Sequence, residues 1–136
     1  MIVVDTGPLY AAADEGDEHH ARCRQLLREI PDDLIVPLSV VVETASLVGS
    51  RLGASAEARF LDAMSAVDMT IEHVGAADLR QMAELVDRYD DLPLGAVDAS
   101  VVTVAERVGA TTVLTLDRRH FSVVRPAHTA AFTLLP

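Results

Sequence analysis

Three short segments, Ile2-Val3-Val4, Leu34-Ile35-Val36 and Thr112-Val113-Leu114-Thr115-Leu116, are apolar almost residue after residue instead of alternately. A strand with one wet face alternates, so runs of this kind belong to a sheet covered on both sides. The stretches between them have helical period. Thr6-Gly7-Pro8 opens a first helix, with Thr6 as the expected cap and Pro8 in its first turn. A second helix is expected from near Asp17-Glu18, through Cys23, Leu26, Leu27 and Ile30, to a stop at Pro31. Ser39 is read as the cap of a third, running to Leu52 and closed by Gly53, and Ser55 as the start of a fourth carrying Phe60, Leu61 and Met64. Two more follow, from Ala76 to Tyr89 and from about Ala96 to Val108, the latter ended by Gly109. Thr70 to Val74 alternates like an edge strand, and Phe132 to Leu135 makes a last short one. Strands alternating with helices predict an α/β domain on a largely parallel sheet.

The chain of 136 residues fits one domain spanning 1–136, and shows no repeat, linker or low-complexity segment. No apolar stretch approaches the roughly 18 residues of a membrane span. Met1-Ile2-Val3-Val4-Asp5 lacks the basic region and apolar length of a secretory signal, which points to a cytoplasmic protein. The single Cys23 has no internal partner and reads as a small helix side chain.

Four acids stand where apolar runs end or are interrupted: Asp5, Glu43, Asp98 and Asp117. Asp5 follows the first strand, and is either a turn residue or a group facing a site. Glu43 shares a helical stripe with Val40 and Leu47, and the capping-box position three after Ser39 is Val42, so Glu43 is no capping acid but lies on or beside the apolar face, or exposed at its edge. Asp98 leads the series Val101, Val102, Ala105 and Val108, as a first-turn acid or an inward one. Asp117 follows the strand ending in Leu116 and is either a turn residue or a site residue.

Open parallel sheets gather functional loops at the carboxyl ends of their strands. Asp5 and Asp117 occupy such ends, and Glu43 and Asp98 sit on helices that pack there. Two carboxylates 4 Å apart repel by about 4 kcal/mol at an effective dielectric near 20. Such a cluster takes up protons unless a cation is bound. Oxygen donors, with no Cys or His expected nearby, favour the hard ions Mg²⁺ or Mn²⁺ over zinc. A centre of this type suits phosphodiester hydrolysis.

The net charge of −10 argues against a nucleic-acid partner, less so if much of it is a metal site. All eleven basic residues are arginine, which suits bidentate phosphate contact but equally a compositional bias. Arg118 and Arg119, beside Asp117, are candidates to hold RNA phosphates or are plain surface charge. His120 either contributes to the site or is a structural or exposed histidine, the second being the preferred reading. With so few aromatic residues, base stacking is not the main binding mode.

The segments Val3-Val4-Asp5-Thr6, Pro37-Leu38-Ser39-Val40-Val41-Val42-Glu43, Val97-Asp98-Ala99-Ser100 and Leu114-Thr115-Leu116-Asp117-Arg118-Arg119-His120-Phe121, in this order, resemble the PIN-domain nucleases. The resemblance is greatest to the ribonuclease toxins of bacterial VapBC toxin–antitoxin pairs, and it spans the whole chain. It implies a three-layer α/β/α sandwich with a mostly parallel sheet of roughly five strands. It further implies Mg²⁺- or Mn²⁺-dependent endoribonuclease activity on structured RNA (transfer or ribosomal), a homodimer, and inhibition by a cognate antitoxin. The family's acidic quartet maps onto Asp5, Glu43, Asp98 and Asp117. Thr6 and Thr115 match polar neighbours that orient it, and Gly7 stands where many members have Ser.

Three rivals remain in view. Asp5-Thr6-Gly7 is also the aspartic-protease tripeptide, but those enzymes are nearly all-β. Phosphorelay receivers and haloacid-dehalogenase phosphatases place aspartates at strand ends, yet need a lysine, and this chain has none. A catalytically silent PIN-like binding protein would act only through its partners.

Overall fold

In a computed structural model describing residues 1–136, the elements run β1 (Ile2–Val4), α1 (Thr6–Ala13), α2 (His20–Glu29), β2 (Leu34–Pro37), α3 (Leu38–Leu52) and α4 (Ala54–Ala66). They continue with β3 (Thr70–Glu72), α5 (Ala76–Arg88), α6 (Ala96–Val108), β4 (Thr112–Leu114), α7 (Arg118–Val123) and β5 (Thr133–Leu135). The strands form one sheet in the order β3-β2-β1-β4-β5. Every pairing is parallel, so the sheet is wholly rather than mostly parallel. Helices cover it on both sides in a three-layer α/β/α arrangement, in which α6 lies against β1 and β2 with α5 outside it. Seven helices around a parallel sheet rule out the all-β architecture that an aspartic protease requires.

The strand order explains where a site can form. The chain winds outward from β1 through β2 to β3, then returns to the other side of β1 for β4 and β5. The winding therefore reverses between β1 and β4, which opens a crevice beyond their carboxyl ends. The ladder carries one residue past the regular strands: Asp5 N–H donates to the Leu114 carbonyl at 2.9 Å and Thr115 N–H to that of Leu135 at 2.8 Å. Asp5 and Thr115 thus leave the sheet side by side with fixed backbones.

The core rests on small branched side chains. Val3, Val4, Val36, Val40, Val101, Val102, Val104 and Val113 have no exposed surface. Helix α6 is buried along seven consecutive residues, Ala99 to Ala105. It is held between the sheet, α3 and α5, and only a helix apolar nearly all round tolerates that position. Ser100 and Thr103 are the polar exceptions. Ser100 Oγ donates to the Val97 carbonyl at 2.6 Å and meets Ser39 Oγ at 2.6 Å. Cys23 is fully buried, and burial raises its thiol pKa, as befits an inert side chain.

Several boundaries differ from the sequence-based expectation, each for a local reason. Helix α1 begins at Thr6 itself with Asp5 in the cap position, so Thr6 is not the cap. Helix α3 follows β2 without a loop, starting at Leu38, and Ser39 spends its hydroxyl on Ser100 instead of capping. Helix α2 starts at His20, because Asp17 Oδ1 accepts the His19 N–H and forms a turn. Strand β4 stops at Leu114, two residues early. Helix α7 was not expected at all.

Candidate metal and nuclease site

All four acids face one open pocket of about 680 Å³ at the switch point. Asp5, Thr6, Gly7, Glu43, Asp98 and Asp117 line it together with Arg118 and Arg119. Each acid arrives from a different element: the end of β1, the second turn of α3, the first turn of α6 and the cap of α7.

Asp5 is the most deeply placed, at 5 % exposure. Thr115, itself buried, donates its hydroxyl to Asp5 Oδ2 at 2.8 Å. The same Thr115 oxygen accepts the Asp117 N–H at 2.9 Å. One side chain therefore fixes the carboxylate leaving β1 and the backbone leaving β4. Burial, opposed by the Thr115 bond and reinforced by the charges of Asp98 and Glu43, pushes the Asp5 pKa up to about 6.

Asp98 and Asp117 keep local amide partners as well as facing the pocket. Asp98 Oδ2 lies 3.4 Å from the Gly95 N–H at the start of α6, and Asp117 Oδ1 accepts the His120 N–H at 3.1 Å, capping α7. Asp98 is thus a first-turn acid and Asp117 a helix cap where a turn residue is the expected alternative, and both line the pocket. Burial raises the Asp98 pKa, with Asp117 adding to it and Gly95 and His120 opposing. Glu43 is half-buried and accepts no hydrogen bond from the protein; burial first, then the charge of Asp98, raises its pKa.

The tightest group is not the acidic quartet. Donor atoms of Asp98, Asp117 and His120 lie within 4.8 Å of one another. His120 Nδ1 is 2.7 Å from Asp117 Oδ2 and 3.1 Å from Asp98 Oδ2. The expectation of a site without nearby histidine is thus corrected, and of the two readings of His120 the geometry places it beside the acids, largely buried. Its ring became invisible when α7 was missed: a helix from residue 118 turns position 120 back toward the cap, three residues on from Asp117. Phe121, fully buried, anchors that helix.

The donors fit a divalent cation. One buried polar atom at the site, Thr6 Oγ1, has no hydrogen-bond partner, although buried polar groups are almost always satisfied. Three of the four carboxyl groups are held above their ordinary pKa by burial and by one another, a condition that a cation relieves. At the pocket rim Arg119 makes no side-chain hydrogen bond, whereas Arg118 donates Nη2 to the Pro136 carbonyl at 3.0 Å.

Thr115 is the simplest part to test. Thr115→Val keeps the shape, removes the donor to Asp5 and orphans the Asp117 N–H. We expect a stability loss of about 1–3 kcal/mol by urea unfolding, larger at pH 8 than at pH 4, because the lost bond favours ionised Asp5.

Residues 2–125 match the PIN domain family. The chain is 36 % identical to Ribonuclease VapC26 of Mycobacterium tuberculosis, over 99 % of this chain and 100 % of that protein. It is 30 % identical to the 23S rRNA-specific endonuclease VapC20 of the same species, over 80 % of this chain and 83 % of the relative. The crystal structure of VapC20, described as a sarcin–ricin loop cleaving toxin, superposes with a TM-score of 0.78 at 26 % identity, covering 83 % of this chain and 87 % of that one. VapBC2 from Rickettsia felis, bound to a promoter DNA fragment, shares the fold with a TM-score of 0.69 at 16 % identity over 100 % of both chains. Matched over nearly its whole length, the chain belongs to the PIN-domain family, among the VapC ribonucleases.

Proposed function

We propose that this single domain, residues 1–136, is a metal-dependent endoribonuclease and the toxin of a type II toxin–antitoxin pair, with Asp5, Glu43, Asp98 and Asp117 as its catalytic, metal-holding set. The observation that carries the proposal is the convergence of these four acids on one pocket. The four acids would hold Mg²⁺ or Mn²⁺, which would supply positive charge at the scissile phosphate and ease ionisation of the attacking water.

The protein's own groups do the rest. Asp5 is locked by Thr115, and Asp98 and Asp117 by helix-terminal amides, so their carboxyl groups are set at the pocket without reorganisation. Glu43, unbonded and raised in pKa, is the carboxylate best suited to take the proton of the water. Thr6 and Thr115 orient the set. Arg119, and Arg118 alongside it, hold flanking phosphates. No aromatic side chain lines the pocket, so the RNA is held by backbone and shape. Structured RNA of the transfer or ribosomal class is the expected substrate, and the name of the relative VapC20 supports the ribosomal one.

Two surfaces fit protein partners. A groove of about 410 Å³ between α1, α2, α3 and α4 has an apolar floor that includes Leu9, Leu27, Phe60 and Met64, with Arg24, Arg28 and Arg59 at its edge. It suits an apolar antitoxin helix flanked by acids. Leu38 and Val42, at 46 % and 59 % exposure, lie on the outer side of α3 next to Glu43. A second copy of the chain covers this patch in the proposed homodimer. No helix is long and apolar enough to cross a membrane, in keeping with a cytoplasmic site of action.

Incubation of the purified chain with ribosomal and transfer RNA, with and without Mg²⁺ or Mn²⁺, tests the reading. We expect cleavage only with the cation, and its loss in Asp98→Asn. Cleavage unchanged by a chelator overturns it. A folded chain inert on every RNA, with or without cation, is a silent binding protein instead.

A further inference from the structure

His120 is placed as a ligand, not as a bystander. Its Nε2 lies 3.1 Å from the Leu92 carbonyl, which can only accept, so Nε2 donates there and Nδ1 is the ring atom turned to the acids. That buried atom is in close polar contact with one carboxylate oxygen of Asp98 and one of Asp117. Their spacings from Nδ1, 3.1 Å and 2.7 Å, bracket the distance of about 3.0 Å that separates neighbouring donors around an octahedral ion with bonds of roughly 2.1 Å. Thr6 Oγ1, unpartnered and 8 % exposed, opens onto the pocket these carboxylates line.

We propose that His120 Nδ1 is a direct metal ligand beside Asp98 and Asp117, making a mixed nitrogen–oxygen centre that selects a transition-metal ion such as Mn²⁺ over Mg²⁺. This rests on the cation site proposed above and deepens it. Imidazole is a borderline ligand with little to offer Mg²⁺, which prefers oxygen and water. The Leu92 carbonyl is the outer partner that holds the ring in its ligating tautomer.

Pulsed electron paramagnetic resonance of Mn²⁺ bound to the full chain reads the ligand directly, without reference to activity. We expect a nitrogen coupling that changes on labelling histidine with ¹⁵N and vanishes in His120→Gln. That variant should bind Mn²⁺ at least about tenfold more weakly, with a smaller change for Mg²⁺. The labelled wild type decides the matter even if the variant folds poorly, since His120 is the histidine grouped with these carboxylates. Saturable Mn²⁺ binding without a histidine nitrogen coupling overturns the ligation while leaving the carboxylate site standing. No saturable binding at all overturns both.

Discussion

An Asp5→Asn chain should melt higher than the wild type at pH 8 in the absence of divalent cations, and cleave RNA at least about a hundredfold more slowly in their presence. The two effects share one cause. Asp5 is 5 % exposed, and its pKa is pushed from an ordinary 3.8 to about 6, chiefly by burial. A carboxyl whose pKa is raised on folding contributes its stability below the unfolded value and loses it as pH climbs through the folded one. Above about pH 6 the ionised group therefore costs the metal-free fold on the order of 3 kcal/mol. Asparagine removes the charge and can still accept the Thr115 bond. A gain near 10 °C is the corresponding scale for a domain of this size, shrinking to nothing below about pH 4. Stability gained with function lost marks a group kept for chemistry. A variant no more stable at pH 8 than at pH 4, relative to wild type, would show that Asp5 is not a strained carboxylate.

The second large effect is cation-linked stability. A ligand that binds only the folded site at a hundred times its Kd adds about 2.7 kcal/mol. The wild type should therefore lose melting temperature from pH 5 to pH 8 without Mn²⁺ or Mg²⁺, as Asp5 ionises beside Asp98 and Glu43, whose pKa values burial also raises. It should recover most of that loss when the ion is added. Sign and window follow from the raised pKa values: the cation helps little near pH 4 and most above pH 6. Asp5→Asn should show a smaller cation effect. Equal shifts in both proteins, or shifts independent of pH, would indicate screening alone. Scanning calorimetry across this pH range separates the cases.

Much of this was legible in the residues, and the gaps have physical reasons. Continuous apolar runs announced β1, β2 and β4, because a strand buried on both faces leaves little room for a polar side chain. Glu43 was legible because it interrupts an apolar stripe on α3 and is spaced wrongly for a capping box. The order of strands was not legible. Nothing local to Val3 or Val113 says that β1 and β4 are neighbours, and only the reversal of winding makes them so. Thr6 and Ser39 were misread as caps because a hydroxyl near a helix start has two uses. The helices began at or before these residues, freeing Ser39 for Ser100 and Thr6 for the pocket. The costliest gap was α7. Six residues are too few for a helical period to declare itself, and without that helix His120 had no reason to turn back on Asp117.

The central claim is that acids distant in the chain hold one divalent ion. Anomalous diffraction at the manganese edge, from crystals of the full chain soaked in Mn²⁺, observes it most directly. The expected result is a peak in the pocket bounded by Asp5, Glu43, Asp98 and Asp117, within bonding distance of Asp98 and Asp117 and absent from Asp98→Asn crystals. An empty pocket at saturating Mn²⁺, or a peak confined to surface acids elsewhere, would contradict it.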